Sequence, residues 1–345
     1  MFKRHSSGVL VVAAAVALAA IAGTGTVASS AIAKPAKVFK VGLSADAGQF
    51  SDHGFNQLAY EGLKKSERVL GVQGRVVQAA SAADYVPNMA ALARQGYDLI
   101  IGVGFAQGDA IAAVAKRFPN TKFAIVDVSN ADLKGKPKNV EGLIFREQEV
   151  GYLAGYLGAL AEKRTGGHVI SAVGGFKEPP VDRYIAGYVA GAKKAVPGTT
   201  VVWGYSHDWV DLAKCKELAL TQIARGSGVV FQVAGGCGLG ALNAAKEKHV
   251  WGIGVDADQS FLGPFVLTSA LKGVDASVFL TAKALVAGKF HGGTDAVFGL
   301  NQAGVGLGKI SPKASPADVQ ATRRISALLA AGKIKNIPTK LGVSP

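Results

Sequence analysis

The stretch Val41–Gly62, VGLSADAGQFSDHGFNQLAYEG, decides how the chain is read. It opens as an apolar strand, passes through a loop rich in Asp and Gly, and enters an amphipathic segment at Phe55. A loop that leaves the C-terminal end of a strand and leads into a helix is where open parallel sheets hold ligands. The helix end offers unpaired N–H groups, and Asp46, Asp52, His53, Asn56 and Gln57 offer polar side chains beside them. Phe55 and Asn56 set an apolar ring next to an amide with donors and an acceptor, a pairing that suits a flat, polar-edged group such as a nucleobase. The same residues also fit an ordinary helix entry, with Asp52 as cap and Phe55 as core.

Outward from this unit, strand and helix signals alternate along the chain. Strands are expected at Asp98–Val103, Lys122–Val128, His168–Val173, Thr200–Tyr205, Gly228–Val233 and Val250–Val255, with amphipathic helices between them. Such alternation predicts an α/β protein with mostly parallel, doubly wound sheets. Two halves of similar size predict two lobes whose strand ends open onto one cleft. The tail adds a strand at Phe265–Ala270, a helix at Asp275–Ala287, a strand at Ala296–Leu300 and a last helix at Ser315–Ala331. The expected division is residues 38–147 with 269–294 for one lobe and 148–268 with 295–345 for the other, joined by several strands at a hinge.

The 345 residues carry a formal charge of +14, but the basic residues are scattered, as in LKGKPK and KNVEGLIFREQEV. Without a dense basic run or an aromatic-interleaved platform, nucleic acid is not an expected partner. The N-terminus reads as a secretory signal: MFKRH is a basic head, GVLVVAAAVALAAIAG a short apolar core, and Ala31-Ile32-Ala33 an A-x-A cleavage site. Residues 1–33 are the expected signal peptide, with a retained membrane anchor as the other reading. Neither cysteine precedes Cys215, so no residue in this region carries a lipoprotein lipid, and the mature chain is expected outside the cytoplasm.

Catalytic patterns are absent. The chain has no G-x-S-x-G elbow, no H-E-x-x-H and no paired C-x-x-C, so neither catalysis nor a metal is expected. Gly236-Cys237-Gly238-Leu239-Gly240-Ala241 with Asp256 downstream fits G-x-G-x-x-A plus an acid, which opens a nicotinamide-dependent oxidoreductase as an alternative. The other reading of that run is close backbone approach to a different ligand, with no cofactor. Cys215 and Cys237 fall at the same end of one strand–helix–strand unit, as a disulfide or as two buried thiols. Asp127 and Asp256 end apolar strands, as Asp46 almost does, and strand-end carboxylates suit pairs of hydroxyl groups such as those of a ribose. Phe231 reads either as core or as a ligand-facing ring.

The segments DAGQFSDHGFNQLAYEG, SAADYVPNMAALARQGYDLIIGVGF, FAIVDV, FREQEVGYLAGYLGAL, VGGFKEPPVDRYIAGYVAGAK, FQVAGGCGLG, GVDADQ and VLTSALKGVD occur in this order. Together they resemble the basic membrane protein family of ABC-transporter substrate-binding proteins, which includes purine nucleoside receptors. The resemblance implies a type I periplasmic-binding-protein fold, a small-molecule ligand closed between two lobes, a permease partner, a monomer, and no enzymatic activity. It implies base contacts at Asp46 and Asn56, stacking on Phe55, and acids near a ribose at Asp127 and Asp256. It also implies a second-lobe wall at Phe231 and Gly235, and a lysine in the T-S-x-x-K segment at Lys272. Two departures from the family pattern are Gly54 in place of the usual Ser and Phe50 in place of a small aliphatic residue. A surface sensor or sugar-binding protein using the same cleft is the alternative to a nucleoside importer component.

Overall fold

The structure is a computed structural model and describes residues 37–46 and 50–342. The expected signal peptide lies outside the described residues. The first sheet contains β1 (Lys40–Ala45), β2 (Gln73–Gln78), β3 (Leu99–Val103), β4 (Lys122–Val126) and β5 (Val140–Phe145), and it returns late in the chain with β11 (Asp295–Phe298). The second contains β6 (Val169–Gly174), β7 (Thr200–Tyr205), β8 (Ser227–Val233), β9 (Trp251–Asp256), β10 (Val266–Lys272) and β12 (Val305–Leu307). Their orders correspond strand for strand: β2-β1-β3-β4-β5-β11 and β7-β6-β8-β9-β10-β12. All pairings are parallel except β10 with β12. β3 is buried along its whole length, as expected of a parallel strand covered on both faces.

Helices cover the faces. α1 (Phe55–Leu70) follows β1 and ends on Gly71, whose φ of 66° supplies the left-handed residue that closes a helix. α2 (Tyr85–Arg94) and α3 (Gly108–Arg117) complete the first lobe's early helices. α4 (Glu147–Arg164), α5 (Pro179–Ala195), α6 (Leu212–Ala224) and α7 (Gly238–Glu247) serve the second. α8 (Val274–Val286) packs on α1, and α9 (Pro316–Ala330) packs on α4. Ser315 precedes α9 and makes no side-chain hydrogen bond to the helix. No helix among the described residues is long and apolar enough to cross a membrane.

The chain crosses between lobes between β5 and α4, between β10 and α8, and between β11 and β12. The last two crossings differ from the expected boundaries at 268/269 and 294/295. β10 runs on to Lys272 inside the second sheet, and β11 pairs with β5 in the first. The Gly-rich stretch after β11, at residues 299–308, holds the three-residue antiparallel edge strand β12.

α4 and α5 approach at backbone distance. A Cβ on Gly151 or Gly155 would overlap the carbonyl oxygen of Tyr184 or Tyr188, and one on Gly187 or Gly191 would overlap that of Gln148 or Tyr152. Reciprocal glycines let the two helices bury facing surfaces that any side chain would separate. Gly155→Val should therefore cost at least about 2 kcal/mol in chemical unfolding. Gly306→Ala, where a Cβ meets open space, should stay within about 0.5 kcal/mol.

Candidate functional site

The entry to α1 is fixed by Asp52. Its Oδ1 accepts from the Gly54 N–H (2.9 Å) and the Gln57 N–H (3.2 Å), and its Oδ2 from the Asn56 N–H (2.9 Å) and Nδ2 (3.2 Å). One carboxylate thus satisfies the Asn56 and Gln57 donors of the open helix end and also turns the Asn56 amide. Asn56 Oδ1 is left buried without a donor among the described residues. Asp52, Phe55 and Asn56 all line one cleft between the lobes, so helix cap and ligand wall are the same loop.

On the far side of the first sheet's switch point, β4 delivers Asp127; in the second lobe the corresponding strand β9 delivers Asp256. Both adopt left-handed backbone, with φ of 76° and 62°, a conformation Asp tolerates better than most residues and one that collects at functional sites. β10 ends on Lys272, whose Nζ lies 2.6 and 2.8 Å from the two oxygens of Asp127 and 3.1 Å from Glu147 Oε1. Glu147, fully buried, also takes the Arg183 Nε at 2.7 Å. The Lys272 ammonium stands 5.1 Å from the Phe55 ring centre and 5.0 Å from that of Phe145, within range of a cation–π attraction.

These contacts set the protonation states. Burial alone would lower the Lys272 ammonium, but Asp127, Glu147 and Asp256 outweigh it and hold Lys272 above the ordinary lysine value. Burial pushes the Asp256 carboxyl up to about 7 against the pull of Lys272, with Asp52 and Asp127 adding to the rise. Glu178 also rises to about 7, through burial and then the charges of Asp127 and Asp46. The cleft therefore gathers carboxylates around one cation that Asp127 and Glu147 already hold.

Asp46, Phe55, Asn56, Asp127, Gly235, Asp256 and Lys272 all line this cleft. Phe231 does not, and the expectation of a ligand-facing ring there is corrected. It is fully buried, with its ring centre 5.0 Å from that of Tyr188 and 6.0 Å from that of Tyr184. Tyr184 takes the cleft-facing place, its hydroxyl 3.5 Å from Asp256 Oδ1. Sequence reasoning also missed Tyr85, Phe105, Glu178 and Trp209, which line the cleft from loops and helix starts. Of the two departures, Phe50 packs on Tyr60 (5.4 Å between ring centres) and is not part of the lining, whereas Gly54 faces the Asp256 carboxylate. The cleft holds a cavity of about 110 Å³ that opens to solvent. Cys215 and Cys237 form a disulfide.

Two corresponding parallel-sheet lobes, with a cleft at their strand ends lined from both, define a two-lobed solute-binding protein. Residues 39–337 match the Bmp family model, described as ABC transporter substrate-binding protein PnrA-like, and the chain belongs to this family. It is 38% identical over 291 residues, 78% of this chain and 81% of the relative, to the ABC transporter nucleoside-binding protein BmpA of Lactococcus lactis. It is 34% identical over 320 residues, 86% of this chain and 88% of the relative, to the CD4+ T-cell-stimulating antigen of Listeria innocua. Among solved structures, an ABC transporter solute-binding protein from Aeropyrum pernix superposes with a TM-score of 0.79 at 28% identity, covering 87% of this chain and 94% of that one. The family is one of extracytoplasmic substrate-binding proteins, not of enzymes, and membership implies a small-molecule ligand and a permease partner.

The raised Asp256 carboxyl has a sign that can be tested. The folded ligand-free protein holds a proton there that the unfolded chain releases near pH 4, so stability falls as pH rises from about 4 to about 7. Asp256→Asn removes this loss. Its melting temperature relative to the parent should rise between pH 5 and pH 8, while Glu178, shifted the same way, leaves both proteins a residual slope. A constant difference between the two proteins across that range would contradict the assignment.

Proposed function

We propose that the protein captures a nucleoside in the interlobe cleft and hands it to the permease of an ABC importer. The observation that carries this reading is the pairing of aromatic faces from both lobes, Phe55 and Trp209, with acids at corresponding strand ends, Asp127 and Asp256. The rings offer flat surfaces to a heterocycle, and the carboxylates accept hydroxyl hydrogen bonds from a pentose. Asp46 and the Asn56 Oδ1 acceptor face the polar edge of the base, and Gly235 brings backbone close to the ligand. Lys272 acts chiefly by fixing Asp127. The name of the Lactococcus relative, a nucleoside-binding protein, supports the same ligand class. In this reading the mature protein is a secreted monomer, freed of residues 1–33.

The charge of the cleft sharpens the ligand. Among the described residues its acids outnumber Lys272, which two carboxylates already occupy, so a phosphate would meet repulsion and desolvation. Calorimetric titration with adenosine, guanosine, inosine, uridine, their 5′-monophosphates, ribose and galactose tests this. At least one nucleoside should bind a hundredfold or more tighter than its monophosphate and tighter than either sugar. Phe55→Ala should weaken that nucleoside at least tenfold, through lost ring contact of about 1 kcal/mol plus lost area burial. Tighter binding of galactose than of any nucleoside overturns the reading.

A further inference from the structure

The segments that carry Trp209 and Gly235 are tied together in a way the ligand pocket does not require of the fold. Trp209 sits between β7 and α6, and Cys215 lies in the first turn of α6. Gly235 and Gly236 end the loop after β8, and Cys237 follows them at the start of α7. The Cys215–Cys237 disulfide therefore joins the roots of two cleft-lining segments, those after β7 and β8, whose strands are separated in the sheet by β6. The Cys237 N–H also donates to the Trp209 carbonyl at 2.9 Å, so one residue holds both the sulfur bridge and the backbone that bears the indole.

The rest of the Trp209 segment has little apolar anchorage. Its neighbours Val210 and Leu212 are 42% and 46% exposed. Asp208 Oδ1 accepts from the Val210 and Asp211 N–H groups (2.8 and 2.9 Å), which shapes the turn but does not attach it to the lobe. The indole is received by a slot made for it. A Cβ on Gly175 would overlap the ring, one on Gly235 would stand 3.6 Å from it, and the Phe176 ring lies 5.4 Å away. Val173, Ala219, Val230 and Ala234 form a buried apolar cluster together with the two cysteines.

We infer that the Cys215–Cys237 disulfide is a positioning device for Trp209: it holds the second-lobe wall of the cleft in its ligand-facing geometry. A bond that served the lobe's overall stability alone would change its unfolding and leave the wall's local motion and the bound solute's residence untouched. A positioning bond acts on the segments at residues 206–212 and 234–240 first, and on the solute through Trp209.

The affinity part of this inference rests on the nucleoside reading; the local part does not. The full-length Cys215→Ala/Cys237→Ala variant should show at least tenfold faster amide exchange at residues 206–212 and 234–240, with the strands at Val169–Gly174 and Ser227–Val233 unchanged. Val230→Ala, which loosens the same apolar cluster without touching the bridge, should not reproduce that pattern. With adenosine and guanosine as probes, the double-cysteine variant should release the bound nucleoside at least tenfold faster. On a Trp209→Ala background the cysteine changes should add less than threefold, because the residue through which they act is gone. Unchanged exchange in the two segments, acceleration spread evenly over the lobe, or an undiminished tenfold effect without Trp209 each overturns the inference. If the unmodified protein binds none of adenosine, guanosine, inosine and uridine while exchange still quickens only in the two segments, the positioning role stands and the nucleoside reading fails.

Discussion

The arrangement of the lobes depends on one buried cation. Lys272 is the last residue of β10 before the chain leaves the second lobe, and it reaches Asp127 at the end of β4 in the first and Glu147 at the first turn of α4. With Arg183 on Glu147, the group is an alternating run of charges, nearly sealed from water. Replacing such a cluster with apolar side chains is often neutral or stabilising, so it is not read as a source of net stability. What an apolar contact lacks is a preferred partner atom. Charges in a low-dielectric floor accept few other arrangements, and the two strand ends are thereby held in register where the chain crosses from one lobe to the other.

Above that floor the two halves correspond in outline and differ in detail. The same strand order brings an Asp in left-handed backbone to corresponding places in each lobe, so acids face the cleft from both sides. The aromatic lining is not repeated: Phe55, Tyr85 and Phe105 belong to the first lobe, Tyr184 and Trp209 to the second. At the rim the lobes meet through a hydrogen bond from Gln259 Nε2 to the His53 carbonyl (3.2 Å) and a tilted contact between the His53 and Phe261 rings. A solute that touches both walls supplies differential binding energy for the closed form, so closure and affinity are one equilibrium.

Much of this was legible in the chain, for reasons that also explain what was not. Long alternating segments fix the parallel sheets, and an Asp closing an apolar strand marks a strand end and hence a cleft edge, as at Asp127 and Asp256. β12 carried no such signal, because three residues in a Gly-rich connection are too short for a period to appear. The crossing after β10 was misplaced because Val266–Lys272 is buried nearly throughout, and nothing in its pattern tells an interior strand from one that changes lobe. The same blindness explains Phe231. In a parallel sheet covered on both faces, alternation does not say which side of the strand meets the cleft and which the helices. Tyr85, Phe105 and Trp209 were missed because their positions near loops obey no period at all. The cysteine pair lay between these cases: topology put both at one end of the sheet, but only the packing of α6 on α7 brings them to bonding distance.

The opening loop shows why function and fold were hard to separate there. A helix entry and a ligand wall were competing readings of Asp52 and Phe55, and the structure uses the residues for both. By accepting from Gly54, Asn56 and Gln57, Asp52 meets the helix's need for a cap, and the bond to Asn56 Nδ2 fixes the amide as it does so. The amide oxygen is then buried without a donor among the described residues, at a cost of about 1–3 kcal/mol for an unmet acceptor. Burial similarly charges Asp256 with a proton near neutral pH. Both costs are removed by a solute that brings donors to these atoms. Part of the affinity is therefore stored in the fold beforehand, by the cap that made the helix.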